Sequence, residues 1–281
     1  MNSRVFLGLL FGAVAVQGFG ADIFSWKTGE FTVDMLVENR GPGRPGILLG
    51  ASQAQLDRYL SGGNFQSETN TFLIRGRGLT VVVDTGFGGA IFESMKTLGL
   101  SPADVDAVLL THLHGDHIGG LQRDGKALFP KAKLYLAAEE RAWWVDTQGN
   151  AGAKAALAPY EGRTETFRPV KIDANPQEIL PGIRAAAAFG HTPGHTVFLL
   201  ESSGQKLLIW GDLMHVEGIQ FPLPELSVSY DTDSAAAAVV RREILDYAVR
   251  NRIPVAGMHL VYPALGTVER EGTGYRFIPA R

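Results

Sequence analysis

The sequence predicts an α/β fold, and three observations carry that prediction. Leu79-Thr80-Val81-Val82-Val83 and Val105 to Leu110 are continuous apolar runs, as expected of strands buried on both faces. Helical segments alternate with such runs, at Ala90 to Leu98 and over residues 235–250. Polar, histidine-bearing segments then follow the strand ends, where α/β proteins place their sites.

The elements follow in order. Arg4, the apolar run Val5 to Val16 and the small residues of Gln17-Gly18-Phe19-Gly20-Ala21 have the layout of a cleaved export signal over residues 1–20. The run is short for a membrane span. The expected mature chain is therefore one domain, 21–281, in the periplasm or secreted, with no stable membrane association after cleavage. Phe31 to Val37 alternates as a strand. Residues 39–46 (NRGPGRPG) read as an exposed loop. Gly76-Arg77-Gly78 joins strands Thr71 to Arg75 and Leu79 to Asp84 in a hairpin. Val105 to Leu110 runs into His112, and Gly182 to Phe189 leads to His191. Val197 to Glu201 and Lys206 to Trp210 form a second hairpin, its last strand ending at Asp212. Asp233 or Ser234 caps the helix of residues 235–250. Its apolar face carries Val240, Ile244, Leu245 and Ala248, with Arg241, Arg242, Asp246 and Arg250 away from it. Ile253 to Gly257 is a short strand ending near His259.

Composition narrows the function. The chain has 281 residues, 45% hydrophobic and 20% charged, which is enough material for a sizeable core. Its net charge of −3 and the lack of a basic block disfavour nucleic acid as a partner. With no cysteine, disulfides, thiolate ligands and thiol nucleophiles are excluded. The Gly86 to Gly89 run (GFGG) is not a phosphate-binding P-loop, since no Gly-Lys-Ser/Thr follows it.

All seven histidines sit in motifs. Three lie in Thr111-His112-Leu113-His114-Gly115-Asp116-His117, and two in Gly190-His191-Thr192-Pro193-Gly194-His195. His215 follows Gly211-Asp212, and His259 ends Val255-Ala256-Gly257-Met258-His259. Imidazole and carboxylate are the usual ligands of zinc and related first-row ions. His112 and His114, two apart, point the same way in an extended segment. Four potential ligands in six residues cannot all serve one ion with good geometry. Two adjacent ions resolve this. His112, His114 and His191 would hold one, Asp116, His117 and His259 the other, and Asp212 would bridge them. Two such cations lower the pKa of a shared water, giving a bridging hydroxide as nucleophile without a Ser or Cys. Zinc is the default ion, with manganese, iron or cobalt compatible with the same donors.

Thr111 to His117, with Asp84 in Val83-Asp84-Thr85-Gly86, His191, Asp212 and His259, resembles the metallo-β-lactamase fold superfamily of hydrolases, in order along nearly the whole mature chain. The resemblance implies an αββα sandwich with a binuclear site at one edge. It implies that the first histidine of His-Thr-Pro-Gly-His, His191, is the ligand, that His195 is a supporting residue, and that Asp84 orders the ligand loop. Trp210 to His215 and Gln220-Phe221-Pro222 are similar to the exported branch containing methyl parathion hydrolase and lactonase-like enzymes. Acyl-homoserine lactonases of the fold carry a tyrosine three residues after the bridging aspartate; His215 stands there in this chain.

The expected activity is hydrolysis of an ester, lactone or phosphotriester in a small-molecule substrate. Asp116 is expected to orient the nucleophile, and His215 to act as an acid or oxyanion donor or else to bond to backbone. Trp143, Trp144, Phe221 and Phe87 are candidates for an apolar substrate pocket. A β-lactamase and a non-catalytic metal-binding relative are the alternatives. The complete ligand set argues against the second, and no carboxylate clamp for a β-lactam is visible. An oxygen-reducing diiron site is disfavoured because such sites usually carry glutamate where this chain has His114.

Overall fold

The computed structural model describes residues 14–18 and 21–281. The expected leader lies outside the described residues except for Val14–Gly18, which pairs antiparallel with Ala21–Thr28. Among the described residues no helix is long and apolar enough to cross a membrane.

Two sheets face each other. Among the described residues one has 8 strands, in the spatial order Val14–Gly18, Ala21–Thr28, Phe31–Pro42, Gln66–Gly76, Leu79–Val83, Ala107–Leu109, Lys133–Ala137 and Thr164–Phe167. The other has 7, in the order Gln177–Leu180, Ile183–Ala187, Thr196–Ser202, Gln205–Ile209, Val255–Ala256, Leu265–Glu271 and Gly274–Pro279. Side chains alternate across a strand, and the continuous apolar runs use both faces. Val81 and Val83 join Phe198, Leu200, Leu207 and Ile209 in one core cluster. Val82 points the other way, into a cluster with Ile91 and Met95 of the helix Ala90–Thr97 and Ala153 and Ala156 of the helix Ala151–Leu157. The helix Ser234–Asn251 buries Ile244, Leu245 and Ala248 in the first cluster, on the second sheet. The layers are therefore helix, sheet, sheet, helix, as the αββα expectation requires.

Both expected hairpins form, Gly76↔Leu79 and Ser202↔Gln205 closing their registers. Asp233 caps the long helix by accepting from the Ala236 N–H. Strand ends shift by a few residues: the strand expected to reach Asp212 stops at Ile209, leaving Asp212 on a loop.

Two readings need correction. Residues 39–46 are not simply an exposed loop. They extend the strand Phe31–Pro42 and then turn through Pro45–Ile47 into the helix Gln53–Tyr59. That helix carries a Ser52/Gln55 capping box. Leu48 and Leu60 pack there on Val216, Ile219, Leu226 and Val228, a small separate core beside the site.

Arg241 does not lie away from the buried face. It is 1% exposed, and its guanidinium donates to the carbonyls of Leu213, Pro224 and Leu226 at 2.6, 2.8 and 2.9 Å. Helical periodicity alone could not show that the loop after Asp212 folds over this side of the helix and needs a donor. Arg241→Ala should lower stability by about 3 kcal/mol, because buried carbonyls lose their partners. Urea unfolding of wild type and variant measures this, and a change below about 1 kcal/mol contradicts the tether.

Candidate metal centre

The strands Leu79–Val83, Ala107–Leu109, Ile183–Ala187, Gln205–Ile209 and Val255–Ala256 end at one edge of the sandwich. The loops after them bring Asp84, His112 to His117, His191, Asp212 and His259 together. Gly211, at φ +56°, is needed for this approach: a Cβ there would sit 2.5 Å from His195 Nε2 and 2.9 Å from Thr111 Cβ.

Two ligand sets share one carboxylate. In the first, His114 Nδ1 lies 2.9 Å from His112 Nε2 and 3.0 Å from His191 Nε2. Asp212 Oδ2 lies 3.5 Å from His112 Nε2 and 3.3 Å from His191 Nε2. In the second, His117 Nε2 is 3.1 Å from Asp212 Oδ1 and 3.7 Å from Asp116 Oδ2. His259 Nε2 is 3.5 Å from Asp116 Oδ2 and 3.2 Å from Asp212 Oδ2.

The donor set fits divalent ions. Ligands about 2.0 Å from a tetrahedral ion stand roughly 3.3 Å apart, close to these spacings. Imidazole nitrogens otherwise gain little by converging on one another. His117 Nε2 and Asp212 Oδ1 are buried and, though 3.1 Å apart, are not aligned for a good hydrogen bond with each other or with any other group among the described residues.

The far nitrogen of each Nε2 ligand is anchored, which fixes the tautomer and aims Nε2 at the centre. His112 Nδ1 donates to Thr111 Oγ1 at 3.0 Å, His117 Nδ1 to Asp84 at 2.7 Å, His191 Nδ1 to Asp231 at 2.8 Å and His259 Nδ1 to the Glu68 carbonyl at 2.7 Å. Asp84 also accepts from the Thr111 N–H and hydroxyl at 2.8 and 2.6 Å, tying the ligand loop down. His195 stays outside both sets. It donates from Nδ1 to the Ala188 carbonyl and accepts the Asp212 N–H at Nε2, each at 3.0 Å.

The electrostatics are mutual. Burial works to raise Asp212, yet His117, His259, His112 and His215 hold it well below the usual carboxylate range. Burial opposes charge on His117, His191 and His259 too. Asp212, Asp84 and Asp116 nevertheless raise His117 well above an ordinary histidine; Asp212 and Asp231 raise His191 to about 9, and Asp212 and Asp116 raise His259. Burial and nearby imidazoles lower His112 well below normal and His114 to about 4. Burial brings His195 to about 3.

His215 is 6% exposed and stacks on His259 with ring centroids 4.8 Å apart. Its Nε2 lies 3.1 Å from Asp212 Oδ2, while Nδ1 is buried without a partner. Of the two alternatives for His215, the bond from its ring to backbone is not formed: Nε2 meets Asp212 and Nδ1 meets nothing among the described residues. Burial lowers it to about 4 despite Asp212, so it is neutral at pH 7.

A cavity of about 700 Å³ opens over the centre. Asp116, His215 and His259 line its floor, and Phe87, Ile47, Phe65, Tyr230 and Arg44 line its walls. Of the four aromatic candidates, only Phe87 lines it. Phe221 is 2% exposed, in the core between Trp210 and Phe277, and so cannot meet substrate. Trp144 donates to Glu140 at 2.6 Å and packs edge-on against His114, behind the site. Trp143 is half-buried and lines no part of the cavity. Sequence reasoning missed Asp231, Glu140, Glu68 and the walls from residues 44, 47, 65 and 230. The Ser52-x-x-Gln55 spacing is a sequence signal that could have marked the helix of the wall segment.

A two-set histidine and aspartate centre at the edge of an αββα sandwich defines a class of metal-site proteins, and comparison with known proteins agrees. Residues 65–251 match the metallo-beta-lactamase superfamily, so the chain belongs to that family. The solved structure of AbOPH, a hydrolase of the beta lactamase superfamily, superposes with a TM-score of 0.84 at 26% identity over 92% of this chain and 97% of that one. AidC, a dizinc quorum-quenching lactonase solved with a product, gives 0.83 at 24% identity, over 93% and 98%. Hydroxyacylglutathione hydrolase of Xanthomonas axonopodis pv. citri (strain 306) is 26% identical over 66% of this chain and 74% of that protein. Metallo-beta-lactamase domain-containing protein 1 of Xenopus laevis is 30% identical over 44% of this chain, and the match spans about half that relative, 52%.

Metal binding should displace the protons that the carboxylates keep on His117, His191 and His259. Zinc added to metal-free protein at pH 7 should release about one proton or more per chain, read with a pH indicator in weak buffer. Apparent zinc affinity should fall as pH is lowered, since protonated imidazole cannot bind. Zinc uptake with no proton release would show that these nitrogens are not the ligands.

Proposed function

We propose that the protein is a metal-dependent hydrolase that uses two divalent ions, most simply zinc, to cleave an ester, lactone or phosphotriester bond in a small molecule. The observation that carries this reading is the convergence of His112, His114 and His191, and of Asp116, His117 and His259, on either side of Asp212 on the floor of a cavity. When bound, two ions would supply Lewis acidity and an activated water. Asp116, 26% exposed at its side chain, is placed to ligate and to accept a hydrogen bond from the attacking group. His215 lines the cavity, and its single N–H, directed from Nε2 at Asp212 Oδ2 at 3.1 Å, is the donor it would offer a developing oxyanion or leaving oxygen once metal ions engage Asp212. Phe65, Phe87, Ile47 and Tyr230 offer an apolar wall to an acyl or aryl group.

A β-lactam is the second reading. Arg44 is a cation lining the cavity, positioned to meet a carboxylate. Export to the periplasm or medium belongs to the proposal as well, resting on Arg4, the apolar run and the small residues after it. N-terminal sequencing of the protein recovered from its host tests it.

A panel of lactone, phosphotriester, aryl ester and cephalosporin, with metal counted by elemental analysis, tests the main proposal. The expected result is two ions per chain and turnover of a neutral ester-type substrate that a chelator abolishes and zinc restores. No more than one ion after reconstitution overturns the binuclear reading, and turnover of the cephalosporin alone favours the second. His215→Ala should lower kcat about 10- to 1000-fold with metal content intact, the scale of one oxyanion donor or general acid. His215→Tyr should shift preference toward the lactone. Unchanged kcat/KM on every substrate would assign His215 a packing role.

A further inference from the structure

Glu140 is a charged residue at 1% exposure that has no place in either ligand set. It lies in the helical turn Ala138–Arg141 behind the site. Each carboxylate oxygen takes two donors. Oε1 accepts the Leu113 N–H at 2.9 Å and the Trp144 indole N–H at 2.6 Å. Oε2 accepts the Thr192 hydroxyl at 2.7 Å and the Gly194 N–H at 2.9 Å.

The donors come from both loops of the first ligand set. Leu113 stands between His112 and His114, and Thr192 follows His191. Trp144 packs edge-on against His114, with ring centroids 5.3 Å apart. Gly194 makes the contact possible: a Cβ there would come within 2.2 Å of the Glu140 backbone nitrogen. No bond from Glu140 reaches Asp116, His117 or His259 among the described residues.

We propose that Glu140 is a positioning residue, a four-donor clamp that locks the His112–His114 loop to the His191 loop and so sets the geometry of one ion site and not the other. The inference rests on the two-ion reading above. Buried carboxylates of this kind persist because the donors they satisfy would otherwise be stranded. Glutamine keeps the shape and breaks the clamp. Whichever way its amide is turned, the NH₂ faces a backbone N–H it cannot accept from, that of Leu113 or that of Gly194, and that loop loses an anchor; the Thr192 hydroxyl can turn to accept.

The test is zinc titration of metal-free protein in competition with a chromophoric chelator, which resolves the affinity of each ion and does not require turnover. In Glu140→Gln one ion should bind about 10- to 100-fold more weakly, as for loss of an outer hydrogen-bond partner of a metal ligand, while the other stays within about threefold of wild type. Thr192→Val, which removes one donor, should weaken the same ion to a smaller degree. It also decides the matter if Glu140→Gln does not fold. Both affinities unchanged, or both reduced equally, overturns the clamp. If unmodified protein binds no zinc, the metal-dependent reading falls and the clamp with it; two ions bound normally by both variants overturns the clamp alone.

Discussion

The buried carboxylate of Asp212 is the interaction on which the rest depends. It is 2% exposed and has His112, His117, His191, His215 and His259 within 3.5 Å of one of its oxygens. An isolated charge in such a place would be too costly to keep ionised. Here the ring of imidazoles compensates it, and the shared carboxylate makes the two ligand sets into one centre. Asp84 and Asp231 balance the positive side, each holding the far nitrogen of a ligand histidine. Arg241 in turn lies 3.8 Å from Asp231, so the charge network continues into the long helix on the outer face.

This arrangement needs a scaffold that does not relax. The ligand loops are short and leave strands that are mostly buried, so their anchor points are fixed by close packing. Residues behind the loops then remove the remaining freedom: Thr111 and Asp84 under the first loop, His195 under Asp212, Asn70 under the loop of His259 through bonds to Met258 and Leu260 at 3.0 and 2.8 Å. The cavity walls are built differently. They come from Phe87, from Tyr230 and from the segment after Pro42, which packs Ile47 and Phe65 against a small core of its own. The two are nevertheless linked in sequence: Tyr230 adjoins Asp231, which holds His191, and Phe65 lies three residues before Glu68, whose carbonyl holds His259.

The strands were legible because their apolar runs are long and β-branched, and the candidate ligands because the chemistry of metal binding restricts both residue type and spacing. Phe221 and Trp144 were misread for a common reason. Aromatic composition marks buried surface, and whether that surface faces a core, a ligand ring or a cavity depends on elements far along the chain. Arg241 was misplaced for a similar reason: helical periodicity assigns a charge to the solvent side unless another segment covers it, as the loop after Asp212 does here.

The sequence by itself determined the α/β class and which side chains can bind an ion, because local patterning and donor chemistry act over a few residues. Only the tertiary structure decided what supports those ligands and what a substrate would meet. Asp231 lies 40 residues from His191, and the Glu68 carbonyl 191 from His259. Leu113 and Gly194, which share the Glu140 carboxylate, stand on separate strand-end loops. An acceptor for a ring nitrogen can come from any segment that the packing brings within about 3 Å, so nothing in local spacing marks it.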